Sequence, residues 1–558
     1  MKQKLLLTFA LLLTAVTGAW ALEPRSGDDW NESTKTLTVN SNPVVGAYYY
    51  KTEIEHVVIS AGVTTIGKSA FSGCTNLASV TFDTGSQLTS IGEQAFGRCK
   101  LTSVTIPDGV TTIGNGAFMS CSNLTSVTFG SGVETIGASA FDGTGLTSIT
   151  IPASVTSIGN GVLTGCSNLA TITVDGGNTH YDSRNSCNAI IDKSNNTLLA
   201  GCKSTTIPDG VTTIDDRVFW GCSGLTSIEI PASVTNIGFS AFANCTNLAS
   251  VTFAAGSQLE TISEQAFIRC SGLTSIEIPA NVETIGNMAF QECTNLASVT
   301  FASGSKLTSI GEQAFNACTG LTSIAIPAGV TSIGDRAFAN CSNLASVTLN
   351  SNPYIGENAF PAGASVTMNL TANSAGGAKW MTFYNKVYSF QADANTQVFK
   401  AALSDTKVSL TELTTDKIVN KDNAVLLKST ASPIVMTLTS TNSENVFTGN
   451  ALNGVSDPAG KTDDGYMYVL NYTAANGVGF YKLATGSKLG VGKAYLSYSG
   501  GGASNFFGLD DDGTTSIDVR SKMEEVRGDG LYYDLNGRRV KNPTKGLYIV
   551  NGKKVLLK

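Results

Sequence analysis

A phrase of about 23 residues recurs about a dozen times between Ile54 and Phe360, clearest as Leu101-Thr-Ser-Val104-Thr-Ile106-Pro107, then Val110, Ile113-Gly114, Ala117-Phe118 and Cys121. A unit that short cannot bury its own apolar residues. Successive units must stack, completing one another's core and leaving long ribbon-like surfaces, so residues 54–360 are expected to form a solenoid. Surfaces of that kind serve binding more readily than catalysis, which needs a cleft with convergent groups.

Leu101, Val104 and Ile106 are the inward positions of a short strand, and Pro107 removes the next ladder donor and closes it. Each turn should add one such strand to a sheet. Val110 and Ile113 supply a second apolar segment, Gly114 permits a corner, and Ala117-Phe118-x-x-Cys121 reads as a short helical or 3₁₀ turn plugging the core. The units alternate between two types, one ending its strand in Ile-Pro (Ile106, Ile151, Ile230, Ile278, Ile326) and one ending in Phe, Val or Leu (Phe82, Phe129, Val174, Phe253, Phe301, Leu349). The genetic period is therefore read as the pair. Three units of the second type carry a two-residue insertion, at Gly85-Ser-Gln-Leu88, Gly256-Ser-Gln-Leu259 and Gly304-Ser-Lys-Leu307.

Mid-strand outward positions are mostly Thr, with Glu229 and Glu277 among them. The candidate binding row is centred on Glu229, Thr252, Glu277 and Thr300, although β-branched Thr also suits any exposed strand. The two glutamates lie two turns apart, about 10 Å by strand spacing. That is near the wide limit for a pair of glycosidase carboxylates, but a flat wet face offers no means of raising one pKa, and a solvated surface is the preferred reading.

Ten of the twelve cysteines occupy one repeat position and are read as a buried ladder of free thiols, since strand-like spacing exceeds the Cβ separation of a disulfide. The other two, Cys187 and Cys202, lie where the rhythm breaks. Residues 178–205 read as an inserted hairpin with the loop Lys193-Ser-Asn-Asn196. Counting outward from the loop pairs Ile191 with Leu198, Ile190 with Leu199 and Cys187 with Cys202, the one expected disulfide.

Lys2, Lys4, an apolar run from Leu5 to Val16 and Ala19-Trp20-Ala21 have the form of a cleaved signal peptide over residues 1–21, too short to span a membrane. No transmembrane anchor is expected in the mature chain. Residues 22–53 read as a cap, with Trp30, Thr36-Leu-Thr-Val39 and Tyr48-Tyr-Tyr50. Beyond Phe360 the period stops. Residues 380–509 alternate as short strands of an antiparallel, sandwich-like β domain, Asp510-Asp-Asp512 reads as a linker, and residues 528–558 form strand phrases around two Asn-Gly turns. The fold class is thus mainly β, a solenoid of about a dozen turns followed by an antiparallel β domain.

A net charge of −7 with only 14% charged residues offers no field for nucleic acid. Two histidines, His56 and His180, far apart along a solenoid, leave little material for a triad, a metal site or acid/base pairs. Gly114-x-Gly116 and Gly159-x-Gly161 are repeat corners without the Gly-Lys-Ser/Thr ending of a phosphate loop. No enzyme activity and no cofactor are expected.

The unit Leu-x-Ser-Ile-x-Ile-Pro-x-x-Val-x-x-Ile-Gly-x-x-Ala-Phe-x-x-Cys closely resembles the leucine-rich repeats of the BspA-like bacterial surface proteins, over about 300 residues. The resemblance implies a secreted or cell-surface protein, with adhesion to host matrix proteins or other cells as the known role of some members. The tail is similar to a short form of the C-terminal sorting signals of type IX secretion. The implied partner is an extracellular protein or a glycan; the glycan reading would place its site on Tyr466, Tyr468 and Tyr481 of the β domain.

Overall fold

The computed structural model describes residues 24–370 and, beyond them, 373–375, 378–404, 407–414, 416–429, 433–439 and a series of strands up to Leu557. The signal peptide and the Asp510–Asp512 linker lie outside the described residues. Two compact units form. One runs to Ile324 and takes in Gly334–Leu344 and Asn358–Ala362; the other holds Ala325–Ile333, Ala345–Glu357 and all that follows Gly363.

In the first unit each turn carries three stacked segments. The strand after the conserved Leu gives four residues, as in Ser227–Ile230 and Ser250–Phe253, paired in parallel and in register. The second segment is a two-residue strand, and Thr65–Ile66, Ser90–Ile91, Thr112–Ile113, Thr135–Ile136 and Ser157–Ile158 form one parallel ladder with their isoleucines aligned. Residues 22–53 extend the first ladder: Asp29–Asn31 pairs antiparallel with Thr36–Val39, which pairs in parallel with His56–Ile59.

The third segment is not the helical turn that Ala117-Phe118-x-x-Cys121 suggested. Gly116, Phe118 and Ser120 donate their N–H groups to Ala138, Ala140 and Asp142 of the next turn (2.8, 2.8 and 2.6 Å), whereas Ala117, Met119 and Cys121 donate three residues back. Half the donors are thereby spent between turns, which a helix cannot do. The alternation requires positive φ at Gly116 and Ser120, both at 60°. Among the described residues the only helix is the short 3₁₀ stretch Arg184–Ser186.

This ladder aligns the phenylalanines. Phe71, Phe96, Phe118 and Phe141 stack at 5.3–5.5 Å with Tyr48 as the first ring, and Phe219 to Phe338 continue at 4.9–5.2 Å, all nearly parallel. The cysteines form a second file. Cys121 Sγ donates to the Phe96 carbonyl at 3.0 Å and Cys293 Sγ to Phe267 at 3.1 Å, and the bond recurs from Cys74 to Cys341. Such a carbonyl also accepts a backbone N–H of its own turn, as Phe96 does from Cys99 at 3.3 Å, so the thiol fills the second lone pair. Where the repeat has Thr144 instead, the hydroxyl donates to Phe141 at 2.9 Å.

The first sheet is not continuous. At most Phe-, Val- or Leu-ended turns the residue after the strand donates to the previous turn: Ser60 to Val39 (3.0 Å), Asp83 to Ile59 (3.0 Å), Ala254 to Ile230 (2.9 Å). At Pro107, Pro152 and Pro279 it has none. The sheet accordingly falls into pairs, with Ser79–Phe82 unpaired to Ser103–Thr105, Ser126–Thr128 unpaired to Ser148–Ile151, and only Ser250 still bridged to Ser275. Hydrogen bonds at the strand starts show the same rhythm. They measure 3.4, 3.3 and 3.5 Å across the splits (Thr102 to Ala78, Thr147 to Thr125, Thr274 to Ala249) and 2.8–3.0 Å within pairs (Thr125 to Thr102, Ala170 to Thr147, Ala249 to Thr226, Ala297 to Thr274).

The inserted hairpin forms between Ala189–Asp192 and Thr197–Gly201, and the latter joins the two-residue ladder through Thr213–Ile214. Ile191 pairs with Leu198 as counted. A bulge then sets Ile190 against Ala200 rather than Leu199, and every later pair slips by one. Cys187 no longer stands opposite Cys202, and both are buried free thiols, which corrects the expected disulfide.

In the second unit the strand Ser346–Leu349 is continued in parallel by Ser365–Leu370, whose far edge pairs antiparallel with Ile434–Thr439. The β domain thus begins before Trp380. A second antiparallel sheet contains Ala378–Asn385, Asn423–Ser429, Thr396–Ser404 and Lys407–Glu412, and a third contains Met467–Thr473, Gly477–Lys482 and Ala494–Ser497. In the tail, Val550 pairs with Lys553 across Asn551-Gly552, the two-residue hairpin that an Asn-Gly pair favours.

Candidate functional site

The outward face of the four-residue strands is built by period-two alternation. Ile228, Ile230, Val251, Ile276, Ile278 and Val299 are buried, while Glu229, Thr252, Glu277 and Thr300 are all exposed. Glu229 stands beside Thr252 and Glu277 beside Thr300 in register. Between the couples only Ser250 and Ser275 still pair, so the four strands stay one sheet with a loosened seam before Pro279. The same alternation exposes Ser227, Ser250, Ser275 and Ser298, a parallel file of hydroxyls two residues before the Glu and Thr row and equally regular in the sequence.

This face offers hydroxyls and carboxylates side by side on a rigid backbone, chemistry for hydrogen-bonding an extended partner. It gathers no catalytic set. His56 Nδ1 lies 2.8 Å from Ser79 Oγ, and His180 Nδ1 lies 3.0 Å from its neighbour Thr179 Oγ1. Among the described residues no three His, Cys, Asp or Glu side chains gather as metal ligands, and no helix is long and apolar enough to cross a membrane. Burial pushes five of the repeat thiols up, to about 12 at Cys74, Cys121, Cys222 and Cys293 and about 11 at Cys166, so these are poor nucleophiles.

In the β domain, pairing sets Tyr468 across from Lys482 and Tyr481 across from Val469. Tyr466 lies outside the described residues.

The BspA type leucine-rich repeat region matches this chain in six copies, over residues 45–170, 196–306 and 260–389, more than half of its length. The chain belongs to the BspA-type leucine-rich-repeat family. The turns described above are these repeats. The fold is similar to a leucine-rich repeat protein from Eubacterium ventriosum (26% identity, TM-score 0.46, covering 56% of this chain and 92% of that one). It is also similar to a leucine-rich cell surface protein from Faecalibacterium prausnitzii (29%, TM-score 0.42, 58% and 92%) and to the pneumococcal vaccine antigen PcpA (23%, TM-score 0.47, 53% and 74%). A search of curated proteins gives no match.

Proposed function

We propose that the chain is a non-enzymatic binding protein, secreted or held at the cell surface, that acts as an adhesin for extracellular matrix proteins or other cells. The observation that carries the reading is the exposed, in-register file of Glu229, Thr252, Glu277 and Thr300 with the serines beside it, on a scaffold whose apolar residues are spent on stacking. Each contact on such a face is weak, and a partner that spans several turns gains by engaging many of them at once. Export rests on the N-terminal segment, and family membership supports it.

The test changes Glu229, Thr252, Glu277 and Thr300 together to Lys, confirms the fold by circular dichroism, and compares adhesion of the two proteins to immobilised matrix proteins and to a glycan array. Loss of adhesion by the quadruple variant, with little effect of any single change, is the expected result. Undiminished adhesion, or glycan binding that the variant retains, would move the site to the β domain.

A further inference from the structure

The split between Ser79–Phe82 and Ser103–Thr105 opens a cleft of about 630 Å³ lined by Thr81, Phe82, Asp83, Thr105, Pro107 and Asp108, together with small residues of the adjoining corners. The cleft exists because Pro107 has no N–H to offer the preceding strand, so the Phe82 carbonyl has no donor opposite it. Acceptors dominate its walls. Two carboxylates line it and no lysine or arginine does.

Asp108 is held in place: its Oδ1 accepts the Ser131 backbone N–H at 2.9 Å and the Ser131 hydroxyl at 3.1 Å. Those bonds keep its carboxyl below the usual range, and Oδ2 keeps its acceptor capacity. The split at Pro279, further along the solenoid, is built differently. Ala254 and Ala280 stand where Asp83 and Asp108 stand here, and Asn281 Nδ2 reaches across to the Ser257 carbonyl at 2.8 Å. At the first split the place of Asn281 is taken by Gly109, so nothing spans the opening in that way. The same residue types recur at Asp175, Asp209 and Gly210, but there the inserted hairpin of residues 178–205 comes between them in the chain.

We propose that this cleft binds the cationic side chain of a lysine or arginine carried on a polypeptide partner. The ammonium or guanidinium group meets Asp83, Asp108 and the Phe82 carbonyl, while the half-buried Phe82 ring covers the aliphatic stem. The site is separate from the Glu229–Thr300 face and holds whether or not that face binds.

The test titrates the mature chain with a fluorescent tetralysine peptide and with its fully Nε-acetylated counterpart, by anisotropy at moderate salt. Binding of the cationic peptide alone is expected, weakening about tenfold in D83N/D108N, the scale of two exposed ion pairs. Pro107→Ala, which returns an N–H toward the Phe82 carbonyl and narrows the cleft, is expected to weaken it as well. E260Q/E283Q, which removes the same charge from exposed positions elsewhere, is expected to bind like the parent. Equal weakening by E260Q/E283Q, unchanged binding by D83N/D108N, or equal binding of the acetylated peptide would overturn the proposal, as would a neutral oligosaccharide that competes for the cleft.

Discussion

Phe242→Ala tests whether the ring file carries the solenoid. The ring has no exposed surface and lies between Phe219 at 4.9 Å and Phe267 at 5.0 Å, within 8° of parallel to each. Truncating a buried phenylalanine costs about 3–5 kcal/mol, and the cost rises when the cavity cannot collapse. Collapse is hindered here, because both neighbours are themselves buried and each is held by the backbone bonds of the third ladder: Phe219 donates to Ala241 and Phe267 to Ala289, both at 2.8 Å. The upper half of the range, about 4–5 kcal/mol, is therefore expected. Phe360, near the end of the file, stacks on Phe338 at 5.6 Å and 14° and keeps 9% of its surface exposed, so its truncation should cost less. Urea unfolding gives the magnitudes, and amide exchange shows whether the loss spreads to adjacent turns, as a core completed by neighbours demands. A loss below about 1 kcal/mol for Phe242→Ala, or an equal loss for Phe360→Ala, would refute the argument.

The thiols make stability fall in alkali. Their folded pKa is raised above the ordinary value near 9, so the unfolded chain releases protons first and stability is lost as pH rises from about 9 toward 12, by roughly 1.4 kcal/mol per thiol per pH unit; urea midpoints at pH 8 and pH 10 under reductant that coincide would contradict this. Alkylation without reductant should leave all twelve cysteines unmodified in the native chain and label all twelve after denaturation, Cys187 and Cys202 included. Pro279→Ala should mend its split, so an amide at position 279 that exchanges as fast as an exposed loop would count against proline as the divider. N-terminal sequencing of the exported protein should begin at Leu22, and any start before it would set aside the cleavage site.

Much of this architecture can be read from the letters because a repeat reports its own burial: Val104, Ile106, Val110, Ile113, Ala117, Phe118 and Cys121 recur at fixed offsets and are all buried. What the letters hide is where backbone donors go. Proline after Ile106 signals a strand end, yet its larger effect falls on the preceding turn, whose carbonyl loses a partner, and that shows only once the turns are stacked. The helical reading of Ala117-Phe118 failed for a related reason. Local spacing cannot reveal that alternate N–H groups are claimed by a neighbour some 22 residues away. The hairpin register was right up to Ile191 and wrong past it, because one bulged residue has no signature in composition. On the outward strand face, alternation identified Glu229, Thr252, Glu277 and Thr300, but the loosened seam between the two couples follows from Pro279.

Proline after every second strand also governs how such a chain can change length. The module that begins and ends on equivalent neighbours is two turns, 48 residues from Cys222 to Cys270 and again from Cys270 to Cys318. Losing one Ile-Pro turn would bring two Phe-ended strands together and knit a wider sheet; losing one Phe-ended turn would strand a single segment between two prolines. Recombination within the gene is thus tolerated in steps of two, and each step adds or removes one slot between paired strands. The residues of one slot can then change without disturbing the pairing of strands on either side.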